Sequence, residues 1–383
     1  MEMIKLNDIC DVRDGTHDSP QYVTEGYPLV TSKNIIDGQI DITNVSYISE
    51  EDYEAINKRS NVDHGDILMP MIGTIGKPVI VNKEFEFAIK NVALIKFNEE
   101  SKVLPTYIRY VLDSNLFNRY VEKENRGGTQ KFISLGNIRN FPIPVVSLEK
   151  QKEITSILNK LSQIIKSRKL QMELLDNLVK SRFVEMFGDP VSNPMGWEVK
   201  ELNELCDVRD GTHDSPSYVS EGYPLVTSKN IVDGKLDLGN VNYITQEDYD
   251  NINRRSKVDM GDIIMPMIGT IGNPLIILEE PRFAIKNVAL IKFNKTSICN
   301  MYIHSILCSE LMEHIKAEKS RGGTQKFLSL GDIRKLKIPV PDEQLQNQYA
   351  NLVQQVHKLK FEVKKSLDET QLLFDSLMQI YFE

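Results

Sequence analysis

The chain has 383 residues, of which 41% are hydrophobic and 26% charged, and a formal net charge of −8 at pH 7. That length predicts two or three domains with ample core, the composition is ordinary for a soluble globular protein, and no run of eighteen apolar residues exists to form a transmembrane helix. The N-terminus lacks an apolar secretory core, and the four cysteines (Cys10, Cys206, Cys299, Cys308) have no CxxC spacing. They read as structural thiols of a reducing compartment, which implies a cytoplasmic protein without metal.

Along the chain, the polar decapeptide DVRDGTHDSP comes first, at Asp11. GYPLVTSKNI and GDILMPMIGTIGKPVIV follow as short apolar runs cut by Gly and Pro, which suits strongly bent sheet. From Pro105 the i, i+3, i+4 spacing of Tyr107, Tyr110, Val111, Phe117, Tyr120 and Val121 predicts a helix over 107–122. RGGTQKF at Arg126 is a glycine-tipped basic loop. Residues 147–188 then have no Gly or Pro before Gly188, and apolar positions step by 4 and 3 through Ile154, Leu158, Leu161, Ile165, Met172, Leu175 and Val179. That seam, with Ser147 as N-cap, predicts a coiled-coil helix.

The series then repeats. DVRDGTHDSP returns at Asp207, and residues 9–98 match 205–294 at 66 of 90 positions without a gap. RGGTQKF returns at Arg321, and a second long helix over 342–383, with Asp342 as N-cap, steps through Leu345, Tyr349, Leu352, Val356, Leu359, Val363, Leu373, Leu377 and Ile380, with Ser366 and Thr370 as the exceptions. A period this long is domain duplication rather than a solenoid. The predicted organisation is a mixed α/β (α+β) domain over 1–146, a helix over 147–188, a second copy over 189–341 and a helix over 342–383. Connectivity makes the paired helices antiparallel, with the copies related by a pseudo-twofold axis. Each helix would be about 60 Å long at 1.5 Å per residue.

Catalytic chemistry finds little support. Asp14, His17, Asp18 and Ser19 are too close in sequence to converge on one reacting atom, and no GxSxG nucleophile exists. GTIGK at Gly73 lacks the phosphate-loop frame, and the second copy has Asn273 where Lys77 stands. Binding reads better. Lys316 to Lys337 holds seven basic residues and two acids, and Arg126 to Arg139 three basic residues and no acid. Arg126, Lys131, Arg321 and Lys326 suit phosphate, with Gly127, Gly128, Gly322 and Gly323 permitting close approach. Gln130, Gln325, Thr16, His17, Thr212 and His213 suit base edges. Thr129, Thr324, Arg13, Ser19, Arg209 and Ser215 belong to the same loops. So do the TSKN residues Ser32, Lys33 and Asn34 and their counterparts Ser228, Lys229 and Asn230. Lys90 and Asn91 read as a structural polar pair, and Trp197 as a packing residue.

The two copies, each followed by a long helix, the IPVVSLEKQKEI start of the first helix, the paired starts at Ile143 and Ile338, and GDPVSNPMGW after Phe187 together resemble the specificity subunit of type I restriction–modification systems. The resemblance covers the whole chain. It implies that each copy is a target recognition domain gripping half of a bipartite double-stranded DNA sequence, with the helices setting the spacer. It further implies two modification (methyltransferase) subunits, received on outer helix faces that include Lys150, Lys152 and Lys169, and restriction subunits beside them. S-adenosylmethionine would belong to the modification subunit, and this chain would carry no cofactor and do no catalysis. Such domains usually differ within one chain; here they are nearly the same, which predicts two near-identical inverted half-sites. The competing readings are a specificity subunit of a related type II system, a duplicated protein-binding scaffold, and an autonomous methyltransferase.

Overall fold

The structure, a computed structural model, describes residues 2–36, 38–73, 75–98, 101–124, 132–232, 234–268, 272–294, 296–319 and 328–383. The chain forms two compact units, residues 1–169 with 365–383, and residues 170–364. Each long helix therefore divides between the two units rather than standing apart from them.

In the first unit, Asp11–Asp14, Val92–Lys96, Ile67–Pro70 and Val79–Ile80 form an antiparallel sheet in that order. A second sheet runs Ala88–Ile89, Tyr27–Val30, Ser46–Ile48, Tyr22–Val23, its first pair parallel. The strand VALIK shows why the core has two sides. Alternation sends Val92 and Leu94 into a cluster with Val30, Ile35, Leu68 and Ile89, under the second sheet. Ala93 and Ile95 face Ile67, Met69, Tyr107 and Val111, under the helices. Because both faces are covered, the strand is apolar throughout, and its closing Lys96 is held by Asp66 (2.6 Å) and Asp63 (2.8 Å).

The second unit repeats this. Asp207–Asp210, Val288–Lys292, Ile263–Pro266 and Leu275–Ile276 form one sheet. Asn242–Ile244, Tyr223–Val226 and Ala284–Ile285 form the other. In each head a two-stranded ribbon closes the domain, Glu2–Lys5 on Pro142–Val145 in the first and Glu198–Glu201 on Lys337–Val340 in the second.

The helix expected over 107–122 is two helices, Pro105–Leu112 and Asn115–Glu124. Ser114 breaks it, its hydroxyl donating back to Val111 O at 2.6 Å in a buried setting. Asn300–Leu307 and Glu310–Lys319 repeat the break at Ser309.

The long helices run Leu148–Phe187 and Glu343–Phe382. Ser147 caps the first, accepting the Lys150 and Gln151 amides. In the first unit Ile154 and Leu158, near the start of one helix, share a core with Met378 and Phe382 at the end of the other. In the second unit Phe183 and Phe187 share a core with Tyr349 and Val353. Start meets end in both, so the helices are antiparallel where they pack. Tyr107 and Tyr302 anchor the two heads identically, with Phe382 edge-on at 5.5 Å and Phe187 edge-on at 4.8 Å.

The seam of the second helix corrects the sequence reading. Leu359, Leu373 and Ile380 are 55%, 50% and 67% exposed, while Gln346, Tyr349, Val353, Val356, Val363, Met378 and Phe382 are buried. The 3–4 spacing passes through Lys360 instead of Leu359, and Thr370 is a seam position as its spacing predicts. Lys360 stays in the seam by pairing with Asp176 across the coil at 2.5 Å, and the Thr370 hydroxyl is taken by Ser366 O.

A single glutamine fixes where each helix leaves its head. Gln151 is fully buried; its Oε1 accepts Leu104 N–H at 2.9 Å, and its Nε2 donates to Lys102 O and Val146 O. Gln346 binds Cys299 N and Pro341 O in the same manner. At the other end, Trp197 Nε1 donates to Phe187 O at 3.0 Å, and Asp189 and Asn193 tie the intervening loop to itself. Trp197 thereby holds the start of the second head against the helix terminus. Cys10 and Cys206 are buried, and burial pushes both thiols up to about 12, so they are inert packing groups. No helix among the described residues is long and apolar enough to cross a membrane.

Candidate nucleic-acid interface

The decapeptide turns away from the sheet at Gly15. A Cβ there would lie 2.2 Å from Ile89 O, and at Gly211 2.4 Å from Ile285 O, so only glycine lets the loop run this close to the neighbouring backbone. Thr16 N then bonds Ile89 O, and Asn91 N returns to Thr16 O. Asn91 and Asn287 make that return possible by adopting φ of 55° and 53°, a left-handed conformation that asparagine tolerates better than most side chains. Lys90 and Asn91 thus form the bend between two strands, and both turn back onto the decapeptide.

His17 is clamped from two sides. Its Nδ1 lies 2.7 Å from Asn91 Oδ1 and its Nε2 lies 2.8 Å from Asp14 Oδ2, while Arg59 holds the other oxygen of Asp14. His213, Asn287, Asp210 and Arg255 reproduce the arrangement, with 2.7 Å at both nitrogens. Two oxygen acceptors on one imidazole favour the doubly protonated ring, and hydrogen bonds first to the Asn and then to the Asp raise the histidine pKa in both heads. Burial pushes the Asp210 carboxyl up, but hydrogen bonds from Arg255 and His213 hold it below its ordinary range.

The loop borders an open cleft of about 410 Å³ in the first head and about 360 Å³ in the second. One wall is the decapeptide (Thr16, Asp18, Ser19); the other is the helix Glu50–Ser60, through Asp52 and Arg59. Lys90 Nζ donates to Ser19 Oγ at 2.6 Å, and Lys286 does the same to Ser215.

Several sequence candidates find intramolecular partners. Arg13 donates to Asp11 and to Arg59 O, and Arg209 to Asp207 and Arg255 O. Both nitrogens of His17 and His213 are engaged within the loop. Asn34 and Asn230 are buried, each accepting from its Thr neighbour and donating to Asp41 O or Asp237 O, so they shape the TSKN turn. Lys33 and Lys229 are exposed, and Ser32, Ser228, Thr16 and Thr212 half-buried. Arg126, Gly127, Gly128, Thr129, Gln130 and Lys131, and Arg321, Gly322, Gly323, Thr324, Gln325 and Lys326, lie outside the described residues. Just beyond them Ile133 N bonds Met71 O and Leu328 N bonds Met267 O, at the same point of both heads. Arg59 and Arg255 were not found from sequence, because only the fold brings the close of that helix to Asp14 and Asp210. Among the described residues no cluster of His, Cys, Asp and Glu could hold a metal ion.

The chain matches the model of the type I restriction modification DNA specificity domain twice, over residues 1–174 and 194–370. The chain belongs to this family. It is 28% identical over 397 residues to the "Putative type I restriction enzyme MjaX specificity subunit" of Methanocaldococcus jannaschii, covering 96% of this chain and 89% of that protein. It is 23% identical to the type I restriction enzyme MjaVIII specificity subunit of the same organism, over 90% of this chain and 82% of that protein. Among solved structures, the S subunit of the type I system from M. genitalium superposes with a TM-score of 0.63 at 16% identity, covering 98% of this chain and 94% of that one. At that identity the likeness concerns the fold, and this specificity-family chain shares it along nearly its whole length.

Proposed function

We propose that this chain is the DNA-recognition subunit of a type I restriction–modification complex, and that its two heads read two near-identical half-sites in inverted orientation. The observation that carries the reading is the loop cluster around His17 and His213. The same hydrogen bonds, within about 0.1 Å, hold the same polar residues at one edge of both heads. A chain that presents one binding face twice addresses a target written twice, as two-headed DNA readers do. In this reading the chain does not itself catalyse; it directs adenine methylation by two modification subunits, which bring S-adenosylmethionine, while restriction subunits join them. In the same reading the basic RGGTQKF motifs, which lie outside the described residues, contact phosphate and base edges. Thr16, Ser19, Thr212 and Ser215 line the cleft, and the clamped histidines set the loop's position rather than read a base through a ring nitrogen.

Methylation mapping of DNA from cells expressing this chain with its modification subunit tests the proposal. The expected result is a gapped motif whose halves are the same sequence on opposite strands. Clearly unrelated halves would overturn the inverted-repeat reading, and the absence of sequence-specific methylation with an active modification subunit would overturn the recognition role.

A further inference from the structure

Beside the decapeptide cleft of the second head lies an open hollow of about 640 Å³ walled by Arg209, Arg254, Arg255 and Arg334 together with Asp207 and Asp210. Two of the four guanidiniums are neutralised in place. Arg209 pairs with Asp207 at 2.6 Å, and Arg255 pairs with Asp210. Among the described residues Arg334 makes its hydrogen bonds to a neutral group, donating from Nε and Nη2 to Val208 O at 3.1 and 2.8 Å, while its charge helps lower the Asp207 carboxyl. Arg254 is exposed and has no hydrogen bond or ion pair among the described residues. The hollow therefore carries two positive charges in excess, on a chain whose total is −8.

The first head builds the same wall. Arg13 pairs with Asp11 and Arg59 with Asp14, and Arg139 donates from Nε and Nη2 to Val12 O at 3.0 and 2.7 Å. Lys58, exposed and likewise without a partner among the described residues, stands where the second head has Arg254. This exchange is informative. A phosphate accepts a lysine or an arginine as a positive charge, whereas a planar bidentate contact does not treat them alike.

Resting on the DNA-binding reading above, we infer that this hollow grips a backbone phosphate of the duplex on each head, with Lys58 and Arg254 as its free cations and Arg139 and Arg334 as its fixed ones. Arg255 lines both the hollow and the decapeptide cleft, so one side chain separates the sequence-independent grip from the loop that faces the bases. Backbone carbonyls hold Arg139 and Arg334 in place before DNA arrives, which limits the ordering cost of the contact. Neither Lys58 nor Arg254 stands out in the sequence, because isolated basic letters on a helix usually mean only a solvated face, whereas Arg139 and Arg334 fall in the two basic stretches noted from the sequence.

The test is the salt dependence of binding by the full-length chain to a mixed-sequence DNA duplex. The double variant Lys58→Gln/Arg254→Gln should flatten the slope of log affinity against log salt by about two, one for each lost phosphate contact. Preference for target over mixed sequence should stay unchanged, and the charge-preserving pair Lys58→Arg/Arg254→Lys should keep the parental slope. A parental slope in the Gln variant overturns the inference while leaving the DNA-binding reading intact. Failure of the parent chain to bind any duplex overturns the reading on which it rests.

Discussion

Asp14 is the hinge of the loop clamp, and its removal can be worked through. Its carboxylate accepts from Arg59 and from His17 Nε2 at 2.8 Å, and the residue is only 7% exposed. A hydrogen bond to a charged group contributes about 1.5–3 kcal/mol when well shielded. Here the partner side chains are 65% and 58% exposed, so solvent screening brings each to the order of 0.5–1 kcal/mol. Asp14→Ala should therefore release the loop by about 1–2 kcal/mol, which is roughly 5- to 30-fold in the ordered fraction. Asp210→Ala should do the same in the second head, where the partners are 68% and 60% exposed. The assay is the ratio of affinities for the mapped target and a scrambled duplex at one salt concentration. That ratio should fall by the stated factor for either variant, with the scrambled duplex losing none of its affinity. A folded variant that keeps the parental ratio refutes the view that the clamp positions the reading loop. So does an equal loss on both duplexes, which would place Asp14 in the general grip.

Gln151→Leu should destabilise the first unit by about 1–3 kcal/mol for each buried backbone group left unpaired, and Gln346→Leu the second, read from denaturant unfolding. Phe382→Ala and Phe187→Ala should each lower stability by about 3–5 kcal/mol, since each empties the aromatic contact with Tyr107 or Tyr302, and hydrogen exchange should locate each loss in its own head. The histidine clamp sets a pH window. A pKa raised by folding contributes stability that is complete below the ordinary histidine value of about 6.5 and is lost as pH rises through the folded value. The ring resonances of His17 and His213 should titrate above that ordinary value by NMR, with specificity weakening across the same interval; titration at or below it would dismiss the doubly bonded ring.

Much of this architecture is legible in the letters. The duplication, the mixed heads and the two long helices follow from identity and spacing, and the Ser147 cap sits where it was expected. The second helix shows where letters mislead. Following the most apolar residues selects Leu359, Leu373 and Ile380, but the helix turns by geometry, and the seam accepts Lys360 because it finds Asp176 there. The break at Ser114 was hidden for a related reason, since a serine turning its hydroxyl onto its own helix looks like any exposed polar position. The decapeptide was recognisable as a functional loop, yet its internal roles were not. Asp14 meets Arg59 across 45 residues and His17 meets Asn91 across 74, and such pairings exist only once the sheet has formed.

The places where the heads differ argue for the same division between a fixed face and a free scaffold. In the first head Lys77 and Arg109 both act on Asp113, whose carboxyl burial pushes up and these two cations pull down. In the second head the corresponding residues are Asn273, His304 and Cys308. All three have lost their formal charge, counting the histidine neutral because its burial lowers its pKa, and Cys308 Sγ now lies 3.9 Å from the His304 ring. Losing Asp113 alone would leave both cations without that carboxylate, and the joint replacement keeps the site balanced. The helices behind the sheets have thus been rewritten as a set, constrained by packing and local neutrality but not by a particular chemistry. The loop in front carries Asp, His, Asn, Lys, Arg and Ser unchanged in both heads, in one hydrogen-bond network that was kept whole where the helices exchanged theirs as a set. A requirement shared by the two loops, and external to both, explains that contrast better than folding does, and one DNA sequence presented twice is such a requirement.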